Sequence, residues 1–454
     1  MMSQDLSITE LAQQTGEPEE RLRAWQSLGL IGRGDIPKFA PVDVERARLV
    51  QLFLRRGVSL ERIAQVDRAE RFIDHYVDTI FPRGVSRAYS LAEAADRVGL
   101  PLAEVRRFWE ASLPGEQAQT ATEDDVRMLG SLKLALDAGF PEEALLQMMR
   151  VYSDALERVA EAEARLFHFY VHERLRAAGH SGTDLVHKTN AAQDLLTPLV
   201  EPTILFFHRR GLARAAREDA VLHLAEETGL LTTAEIPGQL VAATVFVDLS
   251  SFTPLADTMG DLAATRVLER FSILVREEVH RWEGRVVKQV GDAFMLVFSK
   301  ARSAVACALT IEQRVAAEPQ FPAVRSGVHW GSVLYREGDY VGSNVNIAAR
   351  LVGEALRHQV VVTAAVRTES AQLPGVDFLP LGKRRLKGVA ELLELFEARS
   401  SGVERQERLV DPVCGMELGP AEVAAHLTLA GREIAFCSEG CLRRFVAESE
   451  RSAG

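Results

Sequence analysis

The chain has 454 residues, of which 47% are apolar and 26% charged, with a net charge of −11 and four cysteines. That length exceeds one ordinary core, so about two to four domains are expected. The acidic balance argues against a nucleic-acid binder held mainly by phosphate contacts, though not against a small local basic patch. No apolar run approaches the roughly 18 residues a membrane helix needs. The start, "MMSQDLSITELAQ", has neither a basic lead nor an apolar signal core. A soluble, cytoplasmic protein is the expectation. Four cysteines are too few for a disulfide scaffold: Cys307 reads as a small core residue in an apolar helical run, and the other three crowd the C-terminal end.

In "SITELAQQTGEPEERLRAWQSLGLI", Ile8, Leu11, Ala12 and Leu22 recur at helical spacing, and Gly16 breaks the pattern between two helices. "FAPVDVERARLVQLFLRRGVSLERIAQ" adds two amphipathic segments. Residues 1–66 thereby resemble the MerR-type helix-turn-helix domain. A weaker copy follows over residues 85–150, pairing Gly16 with Gly99, Trp25 with Phe108 and Gly57 with Gly139 within one residue. Residues 1–66 hold nine Lys+Arg against nine Asp+Glu, and Glu19 and Glu20 sit beside Arg21 and Arg23 in the would-be recognition helix. A DNA reader normally shows a basic face. DNA binding stays open but is not favoured, and a regulatory or dimerising module is the preferred reading.

Residues 151–237 read as a charged helical connector, and six of the eleven histidines fall there: His168, His172, His180, His187, His208 and His223. The i,i+4 pair His168 and His172 shares a helix face, so double protonation would set like charges side by side. Taken singly, such histidines are ordinary surface or core residues. The stretch from about 85 to 225 resembles the regulatory region of some actinobacterial cyclases, a resemblance that implies pH control. Activity that stayed flat between about pH 5.5 and 8 would contradict it.

From 238 to 398 strands and helices alternate. "QLVAATVFVDL" reads as a buried strand, "LAATRVLERFSILVREEVHRW" as an amphipathic helix and "GRVVKQVGDAFMLVF" as a hairpin. "ARSAVACALTIEQRVAA" reads as a second helix and "PAVRSGVHWGSVLY" as another strand pair, which makes an α+β sheet layered with helices. Asp248 ends the first strand and Asp292 sits at the hairpin turn, so a hairpin beside that strand brings two carboxylates to one end of the sheet. Paired carboxylates suit Mg²⁺ or Mn²⁺. Downstream, "GDYVGSNVNIAARL" sets Asn346 and Arg350 four apart on one helix face, an amide and a guanidinium that suit a ribose and a phosphoryl group. An Asp in a turn, or a lone Asn-x-x-x-Arg, is by itself ordinary; their joint order is not.

These residues resemble the class III nucleotidyl cyclases. Their first metal motif is similar to "FVDLSSFT", their second, Lys-x-x-Gly-Asp, to "KQVGD", and their Asp…Asn…Arg spacing to Asp339, Asn346 and Arg350. The resemblance implies a ferredoxin-like α+β catalytic domain that converts ATP to 3′,5′-cyclic AMP and pyrophosphate. It implies two metal ions per site on Asp248 and Asp292, Asn346 orienting the ribose and Arg350 stabilising the transferred phosphoryl group. It also implies Lys288 and Asp339 as readers of adenine, Lys387 on the triphosphate, and a homodimer with shared sites. Ser251 departs from the glycine usual in the first motif, which puts the rate in doubt. The alternatives are a guanylate cyclase, disfavoured by Lys288 and Asp339, and a transcription regulator whose catalytic domain only senses nucleotide.

A polar joint, residues 399–408, leads to a segment over 409–450 with Cys414, Cys437 and Cys441 separated by twenty-two and then three residues. Thiolates at such spacing suit Zn²⁺ or a softer ion. "DPVCGMEL" and "AFCSEGCLRRF" resemble the small YHS/TRASH-type metal-binding module. His426 is a conceivable fourth ligand.

Overall fold

The computed structural model describes residues 6–32, 38–74, 77, 89–112, 120–228, 236–402 and 408–453. Parts of the connector (229–235), of the second helical copy (85–88 and 113–119) and of the polar joint (403–407) lie outside the described residues. The chain divides into two units, Met1–Leu231 and Thr232–Gly454.

The first unit is helical. Helix α1 (Ile8–Thr15) opens where the Ser7 hydroxyl accepts from the Glu10 N–H and the Glu10 carboxylate accepts from Ser7, and it stops at Gly16, φ 70°. Such a capping box satisfies two orphan N–H groups at once. The same device recurs in α5 (Leu91–Val98), with Ser90, Glu93 and Gly99 at φ 74°. Between them run α2 (Glu19–Ser27), α3 (Val42–Arg55) and α4 (Leu60–Glu70); α6 (Leu102–Ser112) and α7 (Glu123–Asp137) follow α5. A bridge joins Leu6 to Phe39 in the first copy, and strand β1 (Tyr89–Ser90) pairs with β2 (Thr120–Ala121) through Tyr89 and Ala121 in the second. Trp25 and Phe108 fill equivalent, fully buried places in their separate cores. The repeat is therefore structural as well as sequential. In α2 the arginines are already engaged: Arg21 pairs with Glu17 at 2.9 Å and Arg23 with Glu19 at 3.4 Å.

Helix α8 (Glu142–Phe167) runs unbroken past residue 150 into a π-helical turn, His168–His172. There the rings of His168 and His172 stack, 5.3 Å apart and 16° from parallel. The short α9 (Glu173–Ala177) leads to α10 (Gly182–Glu227), which carries Pro198 and Pro202 inside it. No helix among the described residues is long and apolar enough to cross a membrane.

The second unit is built on an eight-stranded sheet. Its strands are β3 (Gln239–Leu249), β4 (Arg285–Val290), β5 (Ala293–Phe298), β7 (Val324–Arg336), β8 (Asp339–Val341), β9 (Val360–Thr363), β10 (Val376–Arg385) and β11 (Leu392–Ser400). The order is β10-β11-β9-β7-β3-β5-β4, with β8 on β7, and only β7 and β9 run parallel. Side chains alternate across β3 as strand geometry demands. Val245, Val247 and Leu249 face Phe271 of α12 (Asp261–Arg281) and Val305 of α13 (Ala301–Ala317), while Ala242 joins Val345 of α14 (Ser343–Glu354) in a second cluster. The expected α+β layering is present. One detail differs: "VRSGVHWGSVLYR" is one continuous 13-residue strand, not a pair. Its glycines do not turn the chain; they let α14 lie close against the sheet.

The tail belongs to the same core. Strand β13 (Met416–Leu418) pairs with β12 (Leu409–Val410) on one side and with β6 (Phe321–Pro322) on the other. Cys414, Met416, Phe436 and Cys441 are buried with the sheet residues. The hairpin of β14 (Ala425–Leu429) and β15 (Arg432–Phe436) and helix α16 (Glu439–Ala453) complete it.

A Cβ at Gly327 would stand 2.6 Å from Leu351 Cβ and 2.8 Å from the Ala348 carbonyl oxygen. Gly327→Ala is therefore expected to destabilise the unit by about 1–3 kcal/mol, since overpacked cores lose stability on that scale. A chemical denaturation midpoint checks it, and an unchanged midpoint would show that α14 yields freely.

Candidate active site

Pairing of β3 with β5 sets Asp248 opposite Ala293, the residue after Asp292, and Gly291 at φ 61° makes the tight turn between β4 and β5 possible. The two carboxylates consequently meet at one end of the sheet. Burial first, and then the negative charge of Asp248, push the Asp292 carboxyl up to about 6. Arg325 on β7 donates to Asp248 Oδ2 from both Nε (2.9 Å) and Nη2 (2.7 Å). One guanidinium thus faces two acids crowded together. Oxygen donors with surplus negative charge in a half-buried corner fit a hard divalent cation.

A second group forms around Lys288 of β4, whose ammonium pairs with Asp339 at the start of β8. Asp339 Oδ1 also accepts from the Tyr340 N–H at 2.8 Å. Asn346 and Arg350 lie on the exposed side of α14, while Val345, Ile347, Ala348 and Leu351 are buried. The N-terminal turn of α14 is anchored by a buried polar chain. His329 contacts Thr363 through Nδ1 and Asn344 through Nε2, both at 2.9 Å, and the Asn344 amide donates to the Ser332 carbonyl at 2.7 Å. Burial holds the His329 imidazole below its ordinary value, which suits a neutral link in that chain. Lys387 is exposed in the turn between β10 and β11. Among the described residues, no hydrogen bond or ion pair joins the carboxylate pair to Lys288–Asp339, or either to Asn346 and Arg350. Asp248–Asp292 and Lys288–Asp339 are thus two bonded groups, and Asn346 and Arg350 share one helix face.

Ser251 occupies the left-handed region, φ 63°, where glycine is at ease and serine is not. Its hydroxyl accepts from Arg357 Nη2 at 2.7 Å. Sequence reading missed Arg325, His329, Asn344 and Arg357 as supports of the site. The buried "VRSGVHWG" strand, with its Arg and His among apolar neighbours, was the available signal for the first two.

In the tail, Asp411, Cys414, Cys437 and Cys441 bring one ligand atom each within 4.8 Å of one another. The sulfurs of Cys414 and Cys437 are 3.5 Å apart, and those of Cys437 and Cys441 3.6 Å. With Zn–S bonds of about 2.3 Å, a tetrahedral site sets its sulfurs about 3.8 Å apart, so the spacing fits. The Cys414 thiol beside it, then burial, push the Cys437 thiol well up, and burial raises Cys441 to about 11. Against the cost of its own burial, Asp411 is held below the usual carboxylate range by the N–H groups of Cys437 and Val413. A buried carboxylate facing three crowded thiols calls for a cation. His426 takes no part: it pairs with Glu433 at 3.0 Å on the exposed hairpin, and Asp411 stands where a fourth ligand was sought.

The Asp292 shift has a direct consequence for the metal-free protein. Its folded value lies above the ordinary 3.8, so the protonated form favours the fold. That contribution is fully present below about pH 3.8 and is lost as pH rises through about 6. A carboxyl NMR titration is expected to show a midpoint near 6 that falls in Asp248→Asn. A wild-type midpoint near 4 would contradict the crowding.

Residues 239–396 match the adenylate and guanylate cyclase catalytic domain, and residues 6–70 match the MerR HTH family regulatory protein. An uncharacterized protein of Mycobacterium tuberculosis is 30% identical over 357 residues, which cover 78% of this chain and 90% of that relative. The adenylate cyclase of Streptomyces coelicolor is 28% identical over 289 residues, 63% of this chain and 72% of its own. A pH-sensitive adenylate cyclase of Mycobacterium tuberculosis is 24% identical over 368 residues, 78% of this chain and 88% of its own. A catalytic match confined to the β3–β11 sheet, preceded by a helix-turn-helix match, leads to one assignment: the chain belongs to the adenylate and guanylate cyclase family and carries a MerR-type helix-turn-helix domain at its N-terminus.

Proposed function

We propose that the protein is an adenylate cyclase that converts ATP to 3′,5′-cyclic AMP and pyrophosphate. The observation that carries the choice of base is the ion pair of Lys288 with Asp339. An ammonium donates to adenine N1, and a carboxylate accepts from the N6 amino group. Guanine reverses both contacts and would leave polar groups mispaired, a strong ground for rejection. Relatives named as adenylate cyclases support the same substrate.

Asp248 and Asp292 hold the metal end of the substrate, and Arg325 orients Asp248 through two hydrogen bonds. Two Mg²⁺ or Mn²⁺ ions bound there would lower the pKa of the ribose 3′-hydroxyl and neutralise charge on the triphosphate. The 3′-oxygen attacks the α-phosphorus, the bond to the β-phosphoryl oxygen breaks, and pyrophosphate leaves. Asn346 orients the ribose, and Arg350, a permanent fork of donors, stabilises charge on the transferred group. Lys387 contacts the triphosphate from its exposed turn.

No hydrogen bond or ion pair among the described residues joins the carboxylate pair to Asn346 or Arg350, and a homodimer completes two sites with residues from both protomers. Asp248→Ala and Arg350→Ala are each expected to abolish activity, and co-assembled heterodimers should recover a part of it. Verified heterodimers without activity would contradict shared sites. Lys288→Ala and Asp339→Ala should each narrow the ATP-over-GTP preference by about tenfold to a hundredfold. An unchanged ratio of kcat/KM values would remove these residues from base selection.

The N-terminal units and connector (1–66, 85–150 and 151–237) regulate the catalytic segment 238–398, and 409–450 forms the metal module behind the joint 399–408. The ion pairs of Arg21 with Glu17 and of Arg23 with Glu19 leave α2 poorly suited to grip phosphates, which favours regulation over DNA binding. The stacked His168 and His172, with Glu173 3.7 Å from His168, support pH as one input. A cytoplasmic site of action fits an ATP substrate and reduced thiols.

A further inference from the structure

The helix that follows the first metal motif, α11 (Phe252–Met259), is held by the tail at both ends. At its N-terminus, Gly415 lies so close to Ser251 that a Cβ on Gly415 would stand 2.4 Å from Ser251 Cβ. Arg357 joins the two segments, donating from Nη2 to Ser251 Oγ at 2.7 Å and from Nη1 to the Gly415 carbonyl at 3.0 Å. Towards the other end, Arg444 of α16 donates to the Asp257 carbonyl at 3.0 Å. Below this clamp His358 contacts Glu417 of β13 at 2.8 Å, in a buried position. Gly415 immediately follows Cys414, and Ser251 comes three residues after Asp248. A thiolate ligand of the tail and a carboxylate of the catalytic corner are thus linked by two short backbone segments and one guanidinium.

Gly415 sits at φ 73° and Ser251 at φ 63°, so both partners of the contact hold left-handed backbone. For serine that conformation is costly and persists only where the surroundings impose it. Here the surroundings are Gly415 and Arg357. The αL turn at Ser251 sets the direction in which the chain leaves Asp248 and enters α11. A change in the geometry of the Cys414 turn therefore has one direct route to the carboxylate corner.

We propose that the Asp411–Cys414–Cys437–Cys441 cluster is an effector site for a thiophilic divalent cation, coupled to the catalytic site through Arg357 and the Gly415–Ser251 contact. The inference rests on the cyclase reading of the catalytic corner. Cation in the thiol cluster fixes the Cys414–Gly415 turn, and that turn fixes Ser251. Reciprocity then requires that nucleotide and metal in the catalytic site alter affinity for the tail ion by the same factor.

The experiment uses the full chain and Co²⁺, whose thiolate charge-transfer absorbance reports the tail and not the all-oxygen corner. Co²⁺ is titrated with and without saturating Mn²⁺ and 2′,3′-dideoxy-ATP, which lacks the attacking hydroxyl. Binding of that nucleotide is measured separately by equilibrium dialysis, with and without tail ion. The expected result is a shift in apparent Co²⁺ affinity of about fivefold or more, matched by an equal shift in nucleotide affinity. Arg357→Gln should keep the charge-transfer band, showing an intact tail, and reduce both shifts to below twofold. Gly415→Ala, which breaks the same contact sterically, should do likewise. Nucleotide binding and a thiolate band with no mutual shift would overturn the coupling and leave the cyclase reading standing. Coupling that survives in Arg357→Gln, or the absence of any thiolate band, would overturn it as well. Failure to bind nucleotide at all would overturn both this proposal and the cyclase reading.

Discussion

The crowding of Asp248 against Asp292 is the constraint around which the catalytic unit is arranged. Two carboxylates at the ends of adjacent strands repel, and half-burial strengthens the repulsion by lowering the local dielectric. A fold tolerates such a corner only if something positive compensates it. Arg325 does so in part, reaching Asp248 from the next strand over. The proton that Asp292 retains up to about pH 6 measures how much compensation is still missing. In the proposed cyclase the remainder would be supplied by a substrate-bound cation, so the charge that destabilises the corner is also what would make it useful.

The rest of the unit holds that corner rigidly. The apolar arms of the β4–β5 hairpin and β3 are the mount, and α12 and α13 cover one face of it. On β7, Gly327 and Gly331 remove the side chains that would keep α14 away, and the His329–Asn344 chain pins the helix start. Asn346 and Arg350 then lie on the exposed side of that helix. Lys288 and Asp339 neutralise each other across β4 and β8. Their pairing sets a donor and an acceptor side by side, and in the proposed cyclase the two would be exchanged for adjacent groups on one edge of the base.

The chemistry-bearing residues were legible because each is a polar residue at a strand end, a turn or one helix face, and those positions follow from local periodicity. The duplication of the N-terminal unit was legible for the same reason, and the capping boxes at Ser7 and Ser90 are its structural counterpart. What stayed hidden was long-range. Arg325 reaches Asp248 across 77 residues and Arg357 reaches Ser251 across 106, and no local pattern announces either. The β7 segment read as a strand pair, whereas it is one strand whose glycines answer to a helix packed on top. Asp411 was overlooked for His426 because a buried carboxylate capped by backbone N–H groups resembles turn chemistry in sequence. The tail read as an appendage behind a joint, yet β13 completes a small sheet with β6 of the catalytic segment.

A charged corner, the Lys288–Asp339 ion pair and an exposed Asn–Arg face together carry the proposed reaction and substrate. The most direct test is to incubate the purified full chain with Mn²⁺ and either ATP or GTP and to identify the products chromatographically. The account predicts 3′,5′-cyclic AMP with stoichiometric pyrophosphate from ATP, and little cyclic GMP from GTP. No cyclic product from either nucleotide, or a preference for GTP, would contradict it.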